Sequence, residues 1–380
     1  MKMVIFVSNN KYQHTINELG IAKKAGGIKM LRAEQSRAEQ SRAEQSRAEQ
    51  SRAEQSRAEC SIIDVYKYVM AFCVIAIHTS PLKNIENSII YSAFDTFTSM
   101  AVPFFFLSTG YLIGTRLDKS GMNNVNLIAK QQKKLIRYYL VWTAIYLPIT
   151  IFGFYRTRTN VLKAVAIFIR NVLLQGENYY SWPLWYLLSA IYGLAIWKYI
   201  TIKTGDTKLY FAIVIGAFIF LHCFTNYMLT LNDNILGSVL EKTIGKGRFF
   251  CGTYYILIGS LIAKEKNARK CIAIVVFLMS FLFTMYFHIL PLKIIVSVSF
   301  FKLVISSKWT GEVKCFRRTS TIMYYTHMIF FFILNVTVRS EMYGMVGFLF
   351  CCAMTNILAC IVNNGNHKND KVIVALFGRM

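Results

Sequence analysis

Ten separate runs of apolar residues constrain this chain more than any other feature of its sequence. They cover residues 62–80, 92–114, 135–153, 184–202, 209–229, 249–264, 271–290, 292–307, 321–338 and 343–362. A helix rises about 1.5 Å per residue, so a run of about 20 apolar residues is long enough to cross the hydrocarbon core of a bilayer. The sequence therefore predicts an all-α fold, a polytopic membrane helix bundle with about ten transmembrane helices.

The overall composition supports a membrane protein and excludes a soluble one. Hydrophobic residues make up 55% of the chain and charged residues 16%, against about 25% charged residues in an average soluble protein. A soluble domain could not cover so much apolar surface with a polar shell. The net charge of +24 would fit a nucleic-acid-binding protein, but the basic residues form short clusters between apolar runs. We therefore expect a lipid bilayer as partner and no nucleic acid.

The distribution of lysine and arginine predicts how the chain crosses the bilayer. Alternate connections hold about twice as many basic residues in one set as in the other, and the richer set faces the cytoplasm by the positive-inside rule. An even number of spans then places both termini in the cytoplasm. In the connection between the third and fourth spans, residues 161–174 are predicted to form an interfacial helix.

The N-terminal segment differs from the rest of the chain. The pentapeptide RAEQS occurs five times without a mismatch between Arg32 and Ser56. A period of five does not match the helical period of about 3.6 residues, so no lasting apolar stripe forms. We expect residues 1–61 to be solvated and to carry no chemistry, residues 62–365 to form the transmembrane domain, and residues 366–380 to form a cytoplasmic tail.

The first span holds the ionisable residues with the most informative spacing, Asp64, Lys67 and His78. Lys67 and His78 are eleven residues apart, so they project from one helix face about 16 Å apart along the axis. Asp64 can pair with Lys67 three residues later. The spacing suits an anionic carrier held at the cytoplasmic mouth while its reactive end reaches a histidine that acts as general base. The alternative is a snorkelling lysine and an interfacial histidine.

A basic cluster begins the third span, where Lys133, Lys134 and Arg137 follow one another within five residues. Lys134 and Arg137 share a helix face, and such a cluster suits phosphate groups. The alternative interpretation is an anchor of the ordinary positive-inside kind.

Further polar residues lie in the second, fourth and ninth spans. Ser108, Thr109 and Gly110 favour close helix packing over a catalytic hydroxyl. The aromatic residues within 179–186 are interpreted as a belt at the outer interface. His327 is an intramembrane histidine, and such residues are usually functional or paired.

Metal binding has no support in the sequence. There is no HExxH motif, no pair of cysteines at ligand spacing and no cluster of carboxylates. The nine cysteines are interpreted as buried thiols that behave as small hydrophobic residues. We therefore predict no metal site.

Taken in order, several motifs resemble the acyltransferase 3 family of integral-membrane acyltransferases. They are the Lys67-x10-His78 spacing, VPFFFLSTGYL in the second span, KKLIRYYL in the third, LWYLLSAIYGL in the fourth and STIMYYTHMIF in the ninth. The resemblance covers about residues 60–365. The string VIAIHTSPL around the end of the first span further resembles the membrane domain of VanT-type serine racemases, whose racemase domain we expect to be absent here.

The resemblance implies transfer of an acyl group, commonly acetyl from coenzyme A, to a hydroxyl of a cell-envelope glycan in a bacterial-type plasma membrane. It implies His78 as the catalytic residue, with Lys67 in place of the usual arginine and Lys134 and Arg137 as the basic pair. Lys67 and Lys134 depart from the family pattern, because lysine is a point charge and lacks the bidentate fork of arginine.

Combining the resemblance with the residues gives a mechanism to test. Coenzyme A phosphates would bind Lys133, Lys134 and Arg137, with Lys67 near the mouth, and His78 would act as general base or accept the acyl group itself. Candidate oxyanion donors are Ser108, Thr109 and Tyr186, and Asp64 and His327 are candidate supporting residues. Two alternatives stay open, namely a transporter for a small molecule such as serine and an inactive relative.

Overall fold

The computed structural model describes only part of the chain. The described residues are 61–117, 124–204, 207–231, 235–245, 247–265, 270–307, 309, 313–338, 343–364 and 371–377. They contain helices and turns and no strand. The RAEQS repeats, and the remainder of the N-terminal segment before Ser61, lie outside them.

The described residues form fourteen α-helices and one short π-helix. The first seven are α1 Ser61–Thr79, α2 Ser88–Ser99, α3 Ala101–Gly114, α4 Asn124–Arg156, α5 Val161–Arg170, α6 Leu184–Thr204 and α7 Lys208–Thr230. The others are α8 Ile235–Ile244, α9 Arg248–Ala263, α10 Lys270–Phe287, α11 Leu290–Ile305, α12 Lys314–Val338, α13 Met345–Asn364 and α14 Lys371–Phe377. The π-helix, Asn171–Gln175, follows α5 directly.

The all-helical membrane bundle is confirmed, and each predicted span contains a helix. Seven spans of the described chain are long and apolar enough to cross a membrane: α1, α2 with α3, α4, α7, α10, α12 and α13. The other three are α6, α9 and α11. Most residues of α6 and α9 are buried inside the protein, so these helices need fewer lipid-facing apolar side chains than α7 and α10, which expose most of theirs.

The second predicted span differs from the structure at its start. It begins at Ser88, because the Asn87 side chain accepts hydrogen bonds from the backbone N–H groups of Ile89 and Ile90, both at 3.1 Å. Met100 separates the two parts of the span, α2 and α3. The predicted run began four residues later because hydropathy does not detect a polar helix cap.

Close packing of α3 against α9 forms the centre of the bundle. A Cβ atom added to Gly110 would lie 1.9 Å from the carbonyl oxygen of Ile256, so only glycine fits at this crossing. This is the packing role that the sequence predicted for Gly110. Small residues thus let α3, α9 and α6 approach closely and fix the helices that carry the candidate site.

Two short helices lie outside the ten spans and bear on the site. The predicted interfacial helix is present as α5, which begins where the Asn160 side chain accepts a hydrogen bond from Leu162 N at 2.9 Å. At the C-terminal end, α14 packs on α4, and the Trp142 indole donates to the Leu376 carbonyl at 3.0 Å. Part of the predicted cytoplasmic tail is therefore helical and joined to the bundle.

Candidate active site

His78 lies at the end of α1 and faces two other rings. Its imidazole centroid is 5.4 Å from that of His327 on α12 and 5.9 Å from the Trp182 ring. The side chain of His78 is half-buried, whereas the following residue, Thr79, is buried. The histidine is therefore fixed by packing while part of its ring stays accessible.

His327 has one engaged nitrogen and one that lacks a partner. Its Nδ1 lies 2.9 Å from the Met323 carbonyl oxygen, which can only accept, so Nδ1 carries the proton. The Nε2 atom then presents a lone pair, and among the described residues it is buried without a hydrogen-bond partner. An unmatched buried acceptor costs about 1–3 kcal/mol, so this position suits a hydroxyl or proton that a substrate brings.

Trp182 is held beside this pair by the loop 176–183, which joins the π-helix to α6. The loop begins at Gly176, whose φ of 74° places it in the left-handed region that favours glycine. It ends where the Tyr324 hydroxyl donates a hydrogen bond to the carbonyl oxygen of Pro183. The loop is thus tied to α12 one turn from His327.

The aromatic residues of 179–186 are half-buried and pack on other rings of the protein, and their place in an outer belt stays a prediction. Tyr180 stacks on Trp182 with ring centroids 5.7 Å apart, and Tyr186 packs on Phe106 at 4.5 Å. Composition identified the aromatic residues, but it does not show that the turns of this loop direct them toward α1, α3 and α12.

Lys67 lines a cavity of about 240 Å³ between α1, α3, α4, α6 and α12. Two more cations, Lys134 and Arg317, lie in its wall. The wall also includes the hydroxyl-bearing side chains of Thr109 and Tyr186. The cavity therefore combines several positive charges with uncharged hydrogen-bonding groups.

Asp64 holds two of these cations in place. Its carboxylate oxygens lie 3.7 Å from Lys67 Nζ and 4.0 Å from Arg317 Nη1. The first pair is the one that the spacing of three residues predicted. One carboxylate shared between two cations leaves a net positive charge, and Lys134 adds to it.

The structure separates the members of the predicted basic cluster. Lys134 lines the cavity, and its Nζ lies 5.7 Å from the centroid of the Tyr138 ring. Lys133 and Arg137 are exposed and do not line this cavity. They lie on the same helix within one turn of Lys134, where they can reach only a group that extends beyond the cavity.

The predicted hydroxyl groups also separate. Ser108 is fully buried and donates to the Phe104 carbonyl at 2.7 Å, so it packs the helix. Thr109 Oγ1 lies 3.3 Å from the Tyr186 hydroxyl at the cavity. Tyr324 also lines the cavity, and its ring is 5.6 Å from that of Tyr186 and 6.4 Å from that of His327. The Tyr324 ring thus lies between the cavity and the histidine pair.

Sequence reasoning missed Arg317, and it missed that His78 and His327 face each other. In the sequence, Arg317 is one of several basic residues in the connection before the ninth span. Its signal was its place at the start of the span that carries His327. Nothing in the sequence states that this helix packs beside Asp64 and Lys67.

The described residues contain no group of three or more His, Cys, Asp or Glu side chains placed to hold a metal ion. The described cysteines are free thiols.

One protein family matches most of the chain. The pattern of the acyltransferase 3 family, described as an acyltransferase domain, matches residues 61–364. Among curated relatives, an amino-acid racemase of Enterococcus faecalis is 26% identical over 215 residues, which is 55% of this chain and 29% of that protein. A second amino-acid racemase of Enterococcus faecalis is 32% identical over 133 residues, 34% of this chain and 18% of that protein.

The matched region spans less than a third of the length of either racemase. No solved structure matches the chain. The family pattern, in contrast, runs from the first residue of α1 to the last residue of α13. This multi-pass membrane protein therefore belongs to the acyltransferase 3 family.

Proposed function

We propose that the protein transfers an acyl group, most simply acetyl, from coenzyme A to a hydroxyl of a cell-envelope glycan. The observation that carries the proposal is the cavity with Lys67, Lys134 and Arg317 in its wall, which the ring of Tyr324 separates from His327 and His78. The Tyr324 side chain would turn aside to admit the thioester. The phosphates of the donor would thus bind at the cations, and its thioester would lie near the histidines.

The charges and size of the cavity support an acyl-CoA donor. Coenzyme A carries phosphates at one end and a thioester at the end of a flexible arm. Lys67, Lys134 and Arg317 suit the phosphates. A volume of 240 Å³ is below the range of about 300–1,000 Å³ that holds a drug-sized ligand, so it fits the narrow arm and not the nucleotide. The cations of the cavity wall would bind the diphosphate that joins this arm to the nucleoside. The nucleoside itself would lie outside, where the exposed Lys133 and Arg137 could bind its 3′-phosphate.

The chemical step needs one base and one set of donors. His78 would remove the proton from the acceptor hydroxyl as its oxygen attacks the thioester carbon. The new C–O bond forms, the C–S bond breaks, and the imidazolium returns the proton to the leaving thiolate. In the alternative route His78 is acylated first and then passes the acyl group to the acceptor, which gives the same ester and the same free thiol. His327 Nε2 can accept a hydrogen bond from a second, neighbouring hydroxyl of the acceptor, because the proton of the attacking hydroxyl goes to His78.

The developing negative charge on the thioester oxygen needs hydrogen-bond donors. Thr109 and Tyr186 are our candidates, because their hydroxyls meet at the cavity. Ser108 is not part of this proposal, since its hydroxyl donates to the Phe104 carbonyl and it does not line the cavity. The Thr109 hydroxyl donates to the Phe105 carbonyl at 2.9 Å and would have to turn from it to act as a donor. Asp64 orients the two cations that it contacts.

The location of the reaction follows from the charge distribution. The excess of basic residues in alternate connections supports a bacterial-type plasma membrane protein with both termini in the cytoplasm. The donor would then come from the cytoplasm, where coenzyme A is made. The acceptor would be reached from the outer side, and the protein would pass the acyl group between the two.

A transporter is the second candidate, and one observation favours it. Both curated relatives are named for an activity on amino acids, and the region that matches here is a helical membrane segment. Serine or a similar amino acid would be the cargo. A transporter has no need of a cavity that binds acyl-CoA, so binding of acetyl-CoA separates the two candidates.

Acetyl-CoA binding and slow hydrolysis by the purified protein in detergent test the proposal. The wild type should bind and hydrolyse acetyl-CoA, His78→Ala should bind but not hydrolyse it, and Lys67→Ala should bind weakly. His288→Ala and Lys163→Ala remove an exposed histidine and an exposed lysine away from the site and serve as controls. No binding by the wild type at millimolar acetyl-CoA would contradict the proposal, and serine uptake into vesicles would then be measured.

A further inference from the structure

The loop 176–183, the first turn of α6 and the start of α9 carry a second group of side chains that does not belong to the donor cavity, and one of them, Trp182, contacts His78. The group consists of Glu177, Tyr180, Trp182, Trp185 and Arg248, and we call it the platform. None of its members lines the 240 Å³ cavity. We propose that the platform binds the acceptor and that this acceptor is a saccharide. The inference rests on the proposed acyl transfer, and it assigns that reaction's second substrate to named residues.

The aromatic half of the platform is flat and adjoins the histidine. Tyr180 and Trp182 stack with an interplanar angle of 12°, and the Trp182 ring is 5.9 Å from that of His78. Both aromatic side chains are half-buried, so each keeps some accessible surface. The C–H groups of a sugar ring are weakly positive and lie well on the electron-rich face of such rings. A sugar stacked on Trp182 would bring its hydroxyls next to the imidazole.

The polar half of the platform is an ion pair between Glu177 and Arg248. The guanidinium lies 5.4 Å from the centroid of the Trp185 ring and hydrogen-bonds to the Glu177 carboxylate. The two side chains are 39% and 30% exposed, so both keep atoms that face solvent. A guanidinium has five N–H donors and a carboxylate several acceptor sites, so both can bind hydroxyls while they remain paired.

The charge of this pair favours a neutral polyhydroxyl ligand over an amino acid. The charges of Glu177 and Arg248 neutralise each other, so the pair does not favour a ligand of either net charge. An amino acid would use its carboxylate and ammonium groups to compete with the existing bond, and leaving either partner unmatched costs free energy. Hydroxyl groups can bind both side chains without breaking the ion pair between them. We therefore assign the platform to a saccharide.

The surrounding backbone holds the platform in place. The backbone N–H of Asn178 donates a hydrogen bond to Ser181 Oγ at 2.8 Å inside the loop that carries Trp182. The Ser189 hydroxyl lies 3.0 Å from the Arg248 carbonyl oxygen and donates to it. The Gln175 side chain donates to the Glu241 carbonyl at 3.1 Å and ties the start of the loop to α8. A site ordered before binding loses less entropy when the ligand arrives.

Saturation-transfer NMR on the full-length protein in nanodiscs tests the assignment. The probes are cellobiose and chitobiose, with free serine measured in parallel. The wild type should transfer saturation to the ring C–H protons of at least one disaccharide, and Trp182→Ala should reduce that transfer about tenfold. Glu177→Gln should reduce it about threefold. Trp309→Ala, which removes an exposed tryptophan elsewhere, should leave it unchanged.

Acetyl-CoA binding, measured on the same samples, reports whether each variant is folded. Transfer of saturation to neither disaccharide by a wild type that hydrolyses acetyl-CoA would overturn the platform and leave the acyl transfer intact. Equal transfer in Trp182→Ala and the wild type would also overturn it, as would transfer to serine alone. Saccharide binding by a wild type that does not bind acetyl-CoA would contradict the proposed function instead.

Discussion

The two cations beside Asp64 should contribute unequally to donor binding, because water reaches them to different degrees. The side chain of Lys67 is 19% exposed and that of Arg317 is 59% exposed. A unit charge about 4 Å from a phosphate charge contributes about 4 kcal/mol at an effective dielectric constant of about 20, and about 1 kcal/mol in bulk water. The contribution of the exposed Arg317 to phosphate binding should be near the lower value, and that of the more buried Lys67 should lie between the two values.

These magnitudes predict separate affinities for two variants. Arg317→Ala should weaken acetyl-CoA binding by about 1 kcal/mol, or about fivefold. Lys67→Ala should weaken it by about 2–3 kcal/mol, or about fiftyfold. Calorimetric titration in nanodiscs gives both dissociation constants. Repeating the titration with salt raised from about 0.1 M to about 1 M should reduce the Arg317 effect more, since the Debye length falls from about 10 Å to about 3 Å.

The matched control is Lys163→Ala, which removes an exposed positive charge on α5. Its affinity should equal that of the wild type. A larger loss in Arg317→Ala than in Lys67→Ala would refute the reasoning from exposure. If both variants bind acetyl-CoA as tightly as Lys163→Ala does, the assignment of the cavity to the donor phosphates is refuted.

Three further substitutions probe packing, the hydroxyl groups and the charge at the mouth. Gly110→Ala places a methyl group 1.9 Å from a backbone oxygen of α9 and should destabilise the protein by about 1–3 kcal/mol in thermal unfolding, whereas Gly216→Ala meets no atom within 4 Å and should not. Thr109→Val removes a hydroxyl of the cavity wall that lies 3.3 Å from that of Tyr186, and it should lower acetyl-CoA turnover about tenfold to a hundredfold. Ser108→Ala removes a hydroxyl outside this wall and should leave turnover unchanged. Lys67→Arg should tighten acetyl-CoA binding about threefold, because a guanidinium can hold a phosphate through two hydrogen bonds.

The sequence predicted the helices of the bundle well, because hydropathy and helix length follow from local composition. It did less well at the ends of helices. Residues 92–114 were predicted as one continuous span, whereas the cap at Asn87 starts the helix earlier and Met100 divides it. Caps are short polar features that a search for apolar runs does not detect.

The candidate site was predictable only where its residues share one helix. Asp64, Lys67 and His78 lie on α1, and their spacing gave the Asp64–Lys67 pair. The contacts of this helix with Arg317 and His327 depend on how α1 and α12 pack, which local spacing does not encode. The same limit applies to the aromatic residues of 179–186. Their number is visible in the sequence, but the rings on which they pack depend on the course of the loop that carries them.

The most direct test of the central claim is the ester-linked acetyl content of the envelope glycan in cells that express the gene. Mass spectrometry before and after mild alkali would measure it in cells with the wild type, with His78→Ala and with the control His288→Ala. We predict alkali-labile acetyl groups with the wild type and the control, and their loss with His78→Ala. Equal acetyl content with the wild type and His78→Ala would contradict the claim that His78 carries acyl transfer to a glycan.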